Sequence, residues 1–369
     1  MCNNNLFILH FRPIENYPPV QNFIKEVIDS DADLTWSCIS TNGKLKPIAY
    51  LGCNIFRFGS SDSGKLSLWW TYLWYNFSVI IKLLIYRPNR LFYYESLSAF
   101  PAYLYKTFIH KKVKLYIHYH EYTSPFEYQN VSLIERYFHT LEKLIYKKAD
   151  WISHTNKVRL DKFLLDEGLA FNRKVHHFLP NYPSKKWAVL NKERKQNEPL
   201  KLVYVGYSLT EAGSYLLELI DFLVQSESEI IFSIYCLKKN EFIHNIKGTK
   251  KSLRIEIFDE LTYAEIPSIL SKHHVGLILY KAKTSNYIHN APNKLFEYLS
   301  CGLDVWYPAE MQGIYEYDTN KSPVVKRLNF SKLSDYQLND ILRTSKEIEE
   351  FPYCAEEVYV SVLNKMVDE

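Results

Sequence analysis

The chain has no C-x-x-C pair among its six cysteines (Cys2, Cys38, Cys53, Cys236, Cys301 and Cys354), no low-complexity tract and no short internal repeat. That spacing excludes a zinc ribbon or a disulfide framework and suits a reducing, cytoplasmic setting. No basic segment followed by a long apolar one opens the sequence, so no signal peptide is expected. No G-x-G-x-x-G follows an early strand, which argues against a nicotinamide-dependent dehydrogenase. Recognisable nucleic-acid-binding motifs are also missing and the basic residues are dispersed, so no nucleic-acid partner is expected. The longest apolar stretch, residues 66–86, is interrupted by Asn76 and Lys82, which counts against a membrane span. Its aromatic content suits either a helix lying in a membrane interface or one packed against a sheet.

What is present fits a folded chain of two domains, at 369 residues and 47% hydrophobic content. The 30 tyrosines and 21 phenylalanines suit aromatic-rich cores as well as carbohydrate or membrane-interface contacts. Charge is unevenly divided: residues 1–190 hold 24 Lys+Arg against 15 Asp+Glu, and residues 191–369 hold 21 against 26. The basic amino half fits an anionic lipid surface or lipid-linked acceptor, and equally plain solvation.

In the amino half, strands are expected near 6–10, 34–39, 48–58, 90–95, 114–119, 151–155 and 175–179. Helices are expected over 19–29 and 66–86, up to about 110, and over 133–149 and 156–167. The 133–149 helix offers Leu133, Ile134, Tyr137, Leu141, Leu144 and Ile145 as its buried face. Asp29, Asp31 and Asp33 read as a solvated loop between helix and strand rather than a metal site. Lys106, His110, Lys111, Lys112 and Lys114 form a basic cluster, a solvated turn or a lipid-facing patch. His120-Glu121 falls at the exit of the 114–119 strand, where open α/β sheets bind ligands.

Strand and helix alternate again after residue 201, which predicts a second doubly wound parallel sheet, and helices are expected near the end over 331–350 and 354–367. The apolar run at 275–280 leads through a polar loop to a helix opened by Pro292, striped by Leu295, Phe296 and Leu299, and closed by Gly302. The positive amino end of that helix faces the ligand crevice. Lys294 and Glu297 are three apart, so both can point toward that crevice. A cation there suits phosphate, and a carboxylate suits sugar or ribose hydroxyls.

Pro292-Asn293-Lys294-Leu295-Phe296-Glu297-Tyr298, followed by Cys301-Gly302, resembles the signature of bacterial retaining glycosyltransferases of the family 4 type. The resemblance covers most of the chain and is best over residues 201–308. It implies the α/β GT-B fold, two doubly wound Rossmann-like domains facing a cleft. Residues 1–182 would form the acceptor side, 183–200 a linker, 201–350 the nucleotide-sugar side, and 351–369 a terminal helix returning to the first domain. The implied activity is a hexosyltransferase-type transfer (EC 2.4 class) from a UDP- or GDP-linked sugar to a growing glycan with retention of configuration. The acceptor would be a capsule, O-antigen or exopolysaccharide chain, or a lipid-linked oligosaccharide. The implied place is the cytoplasm, in peripheral contact with the inner face of the membrane, and no metal or other cofactor is implied.

By the same resemblance Gly206, Tyr207, Lys281, Asn290, Asn293, Lys294 and Glu297 form the donor-binding set, with Glu297 on the ribose. His120 lies beside the transferred sugar, with His118 as alternate, and Glu121 orients an acceptor or acts as base. Pro180-Asn181-Tyr182-Pro183 resembles the family's hinge, which usually reads P-N-G. Two departures stand out. No Lys or Arg falls between Gly206 and Gly213, which is placed just inside the next helix, so phosphates are left to Lys294, Lys281, Lys283 or helix dipoles. The first Glu of the family's acidic pair is His289. These departures leave two other readings open: an inverting transferase or nucleotide-sugar epimerase, or a degenerate protein that binds nucleotide or glycan without turnover.

Overall fold

The computed structural model describes residues 5–30, 34–50, 53–60, 65–188, 198–236, 240–246, 252–342 and 353–368. Asp31, Asp33 and most of the charged 185–198 run lie outside the described residues. The chain divides into two compact units, residues 1–180 with 356–369, and residues 181–355.

The first unit runs β1 (Asn5–His10), α1 (Pro18–Asp29), β2 (Thr35–Asn42), β3 (Asn54–Ser60), α2 (Lys65–Tyr86), β4 (Arg90–Tyr94), α3 (Ala99–Leu104), β5 (Lys114–Tyr119), α4 (Pro125–Tyr128), α5 (Leu133–Tyr146), β6 (Trp151–His154), α6 (Lys157–Asp166) and β7 (His176–Phe178). Its sheet is parallel throughout, in the order β3-β2-β1-β4-β5-β6-β7. The central strands are buried on both faces, so they read as continuous apolar runs rather than alternating ones.

α2 packs one of its sides against the sheet. Tyr72, Tyr75, Val79 and Leu83 pack into the core with Phe7, Leu9, Ile39 and Leu91. The opposite side faces outward and is also apolar. No described helix is long and apolar enough to cross a membrane.

Two expectations fail here. The third strand begins at Asn54 rather than near residue 48. The Ile48 N–H donates to the Glu15 carboxylate (2.8 Å) and the Ile48 carbonyl accepts from Arg57 (3.3 Å), so that backbone is spent on side chains instead of a ladder. In α5 the expected face is inward only in part: Leu133, Tyr137 and Leu144 are exposed, Leu133 at 79%, while Leu141 is half-buried and Ile145 buried. The helix buries Ile145 and Tyr146 together with Glu142. The Glu142 carboxylate accepts hydroxyl bonds from Tyr93 (2.7 Å), Tyr119 (2.5 Å) and Ser96 (2.6 Å). A carboxylate so satisfied tolerates a site where an unpaired one would not remain.

The second unit runs β8 (Leu200–Gly206), α7 (Leu216–Val224), β9 (Ile230–Cys236), α8 (Glu241–His244), β10 (Leu253–Phe258), α9 (Ile266–Leu270), β11 (Val275–Leu277), α10 (Ser285–Ile288), α11 (Asn293–Ser300), β12 (Asp304–Pro308), β13 (Val325–Leu328) and α12 (Leu338–Ile341). The strand order is β10-β9-β8-β11-β12-β13, again all parallel. This 3-2-1-4-5-6 order reverses direction between β8 and β11, the point where doubly wound sheets bind ligands outside their carboxyl edge. In the first unit the corresponding reversal lies between β1 and β4.

Two further expectations are corrected in this unit. Gly213 precedes the helix rather than sitting in it: Ser214 bridges to Tyr280 and α7 starts at Leu216. The single helix expected over 331–350 is two short turns, Phe330–Asp335 and Leu338–Ile341, because Lys332 leaves helical geometry and Tyr336 and Gln337 are extended. Residues 343–350 lie outside the described set.

The last helix, α13 (Ala355–Asp368), belongs from residue 356 to the first unit. Tyr359 packs on Phe23 of α1 (ring centroids 5.4 Å) and its hydroxyl donates to the Pro19 carbonyl (3.0 Å). Val362, Leu363 and Met366 are buried beside it.

Candidate active site

In the second unit the candidate residues gather at the reversal between β8 and β11. β8 ends at Gly206, where an added Cβ would stand 2.5 Å from the Tyr204 hydroxyl, so no other residue fits without displacing that ring. Tyr207, next in the chain, is exposed. β11 leads through Tyr280 and Lys281 to the loop that delivers α11.

α11 is fixed over the sheet by one tyrosine. The Tyr298 hydroxyl accepts the Val205 N–H of β8 (3.1 Å) and donates to the Leu277 carbonyl of β11 (3.4 Å). Its ring lies so close to β11 that a Cβ at Gly276 would sit 2.2 Å from it. Glycine in the middle of an apolar strand is there for this close approach. The other end of α11 is closed by Gly302 at φ +75°. Pro292 occupies the N-cap position and no side chain caps the first turn, leaving backbone N–H groups and the positive end of the dipole exposed to a ligand.

Lys294 is in the first turn. Its Nζ donates to the Tyr280 hydroxyl (2.6 Å) and lies 5.2 Å from the Tyr204 ring centroid and 5.0 Å from that of Tyr280. Burial alone would weaken the ammonium. Tyr204, Tyr280 and the Glu297 carboxylate more than reverse that and hold it above the ordinary lysine range. Glu297, one turn on, is buried, which pushes its carboxyl up to about 7 against the opposing pull of Lys294. A fixed cation beside the amino end of a helix is suited to a diphosphate, and a buried carboxylate to neutral hydroxyl donors.

The remaining expected donor residues are placed less directly. Lys281 is engaged with Glu218 (2.8 Å) and the Glu211 carbonyl (3.3 Å). Lys283 is exposed. Asn290 and Asn293 flank Pro292 and are half-buried. His289 is buried, with Nδ1 2.8 Å from the Ser285 carbonyl. Gly313 packs against this segment so tightly that a Cβ would meet the His289 carbonyl at 2.4 Å.

In the first unit β5 ends at Tyr119, so His120 is the first residue past the strand, while His118 stays inside the sheet with Nδ1 2.9 Å from the Ser153 hydroxyl. Burial holds the His118 imidazole down to about 3. The His120 ring is stacked on Tyr94 (5.0 Å, 11°) and Tyr17 (5.7 Å, 29°) and meets His10 edge-on at 6.1 Å. Its backbone is clamped from both sides. The His120 N–H donates to Glu95 Oε1 (2.6 Å), and the buried Arg159 guanidinium donates to the His120 carbonyl (2.6 Å). Glu121 is exposed, with its N–H also donating to Glu95 (3.2 Å). Glu95 sits at φ +62°, a conformation that costs about 1–3 kcal/mol for a residue with a side chain. Burial and the Glu121 carboxylate push its carboxyl up to about 8.

Sequence reasoning overlooked Tyr204, Tyr280, Glu95, Arg159, Tyr17 and His10. Tyr280 and Glu95 each end an apolar run at a strand exit, the signal that singled out His120. Arg159 carried no such mark. Among the described residues, no group of three or more His, Cys, Asp or Glu stands ready to hold a metal.

No family model and no curated protein matches the chain. Solved structures do. The chain is similar to a lipopolysaccharide outer core galactosyltransferase, WaaB, in its apo form (13% identity, TM-score 0.64, 99% of this chain and 95% of that one). It is also similar to HepE of Anabaena in complex with UDP and glucose (11%, 0.60, 98% and 95%). A third is the UDP-GlcNAc 2-epimerase of Methanocaldococcus jannaschii (12%, 0.58, 99% and 99%). The fold is GT-B: two α/β units, each built on a parallel sheet.

Proposed function

We propose that the protein is a glycosyltransferase that moves a sugar from a UDP- or GDP-linked donor to a growing glycan, with the anomeric configuration retained. The observation that carries this reading is the half-buried Lys294–Tyr280 pair beside the buried Glu297, at the uncapped amino end of α11 and at the strand-order reversal of the second unit. Lys294 and the α11 dipole neutralise the leaving diphosphate, in place of the basic residue lacking after Gly206 and without need of a metal. Glu297 accepts from the ribose hydroxyls. His120, positioned by Glu95 and Arg159, touches the transferred sugar, and the departing phosphate takes the acceptor's proton. Fold likeness to WaaB, and to HepE holding UDP and glucose, supports the substrate class.

The first test is thermal stability against a panel of nucleotides and nucleotide-sugars. A ligand at one hundred times its Kd adds about 2.7 kcal/mol. Stabilisation by UDP or GDP that disappears in Glu297→Ala is expected. If no nucleotide shifts the transition, the donor site is wrong and a degenerate binding role takes its place.

A specific observation keeps an epimerase in view: Glu95 and Glu121 stand beside His120 at strand exits, and such carboxylates suit proton abstraction from a sugar carbon. Product analysis separates the two. Epimerised donor without acceptor would replace the transferase, whereas a new glycosidic bond of unchanged anomeric form is the expected result.

A further inference from the structure

α2 departs from what a surface helix of a globular domain normally shows, an apolar stripe inward and a polar face outward. Its inward stripe is Tyr72, Tyr75, Val79 and Leu83. Half a turn away, Trp70, Leu73, Trp74, Phe77, Ile81, Leu84 and Ile85 recur at spacings of three and four, and all are exposed. Trp70 is 70% exposed, Trp74 55%, and the adjoining Trp69 53%. Five exposed aromatics alone (these three, Phe77 and Tyr86), at half of the 150–250 Å² such side chains can bury, present roughly 500 Å². That already approaches the upper end of about 300–600 Å² for the largest apolar patch of a typical monomer, before the aliphatic residues are added. A patch of this size is the mark of an interaction surface.

Charge says which kind. Residues 63–120 contain eight Lys and Arg and one carboxylate, the half-buried Glu95; Arg90 is buried, and Lys106 and Lys114 pair with Asp150 (3.6 and 3.5 Å). The cations are not spread evenly around the apolar face. The Lys114 N–H donates to the Asn89 carbonyl (2.9 Å) and the Tyr105 hydroxyl to the Pro88 carbonyl (3.0 Å), which brings the turn at 110–113 beside the carboxyl end of α2. Arg87, Lys111 and Lys112 are exposed there, next to exposed Ile85, Tyr86, Phe108 and Ile109. Tryptophan-rich apolar surface bordered by cations, on a helix that does not qualify as a span, is the composition of a surface lying in a lipid headgroup layer.

We infer that the outward face of α2, together with the Arg87, Lys111 and Lys112 cluster, docks the first unit onto an anionic lipid bilayer. The apolar side chains enter the headgroup boundary, and the cluster adds attraction that depends on lipid charge and on salt. The inference stands on the first unit's own surface and does not require the transferase reading.

The test uses the full chain and sedimentation with vesicles of phosphatidylglycerol mixed into phosphatidylcholine, or of phosphatidylcholine alone. Binding to the anionic vesicles is expected, at least tenfold weaker on the neutral ones and weakened again by salt. Trp70→Glu with Trp74→Glu is expected to abolish it, and Arg87→Glu with Lys111→Glu and Lys112→Glu to remove its dependence on lipid charge. All these positions are exposed, and nucleotide-induced stabilisation of the variants, or their circular dichroism, reports that they remain folded. Binding unchanged by the tryptophan substitutions, or no sedimentation with either vesicle, overturns the proposal. A concentration-dependent dimer in light scattering that Trp70→Glu dissociates also overturns it, because a second copy then covers the face.

Discussion

Glu297 binds its proton more tightly in the folded protein than in the unfolded chain, because burial lifts it from 4.5 to about 7. The stability tied to this proton is complete below pH 4.5 and is lost as the pH climbs through 7, since the native carboxylate must then be charged where water cannot reach it. Glu297→Gln removes the titration. Urea unfolding of both proteins at pH 4.5 and pH 8.5 should show the wild type losing about 3 kcal/mol relative to the variant over that interval. Parallel pH profiles would mean that Lys294 already neutralises the carboxylate in full. Lys294 and Glu297 were legible in the sequence because helical spacing is a local property. Their setting was not: Tyr204 comes from β8 and Tyr280 from the end of β11, and only the fold brings those phenols to one ammonium. His120 could be placed at a strand exit, but nothing local revealed that Glu95 and Arg159 would hold its backbone.

At the scale of the element, α11 depends on a ring-sized gap over β11. Gly276→Ala puts a methyl where the Tyr298 ring lies, and overpacking of this kind costs about 1–3 kcal/mol. The strain falls on the helix that carries Lys294 and Glu297, so nucleotide affinity should drop along with stability. Calorimetric titration of the folded variant with UDP or GDP checks this, and unaltered affinity would show that α11 keeps its place by other contacts. Strand and helix types were mostly legible, since buried parallel strands are simple apolar runs. α5 was misread for a physical reason. Periodicity counts carbon-rich side chains and gives a carboxylate no credit for burial, yet Glu142 is solvated by hydroxyls from β4, the turn after it and β5. With that network inside, Leu133, Tyr137 and Leu144 are left facing out. The expected 331–350 helix failed similarly, through local geometry at Lys332 that composition does not reveal.

Across the whole molecule, the first unit is made from both ends of the chain. Buried side chains such as Tyr359, Val362, Leu363 and Met366 each contribute about 1.5–3 kcal/mol when removed from water, so α13 is part of that unit's core rather than an appendage. A chain ending at Ala355 keeps Tyr353 against Phe296 and Tyr182 in the second unit (ring centroids 6.0 and 5.1 Å). In that truncation, hydrogen exchange should quicken in α1 and β1 while β8 and β11 keep their protection. Equal exchange in the two proteins would show that α13 adds nothing to the first unit. The same connectivity sets a timetable for synthesis. Residues 181–355 must all be translated before α13 exists, which takes roughly 10–35 s at about 5–20 residues per second. Throughout that interval the nascent first unit presents Phe23 and the rest of the α13 groove bare to whatever meets the emerging chain. The unit begun first is therefore completed only after the second has been synthesised.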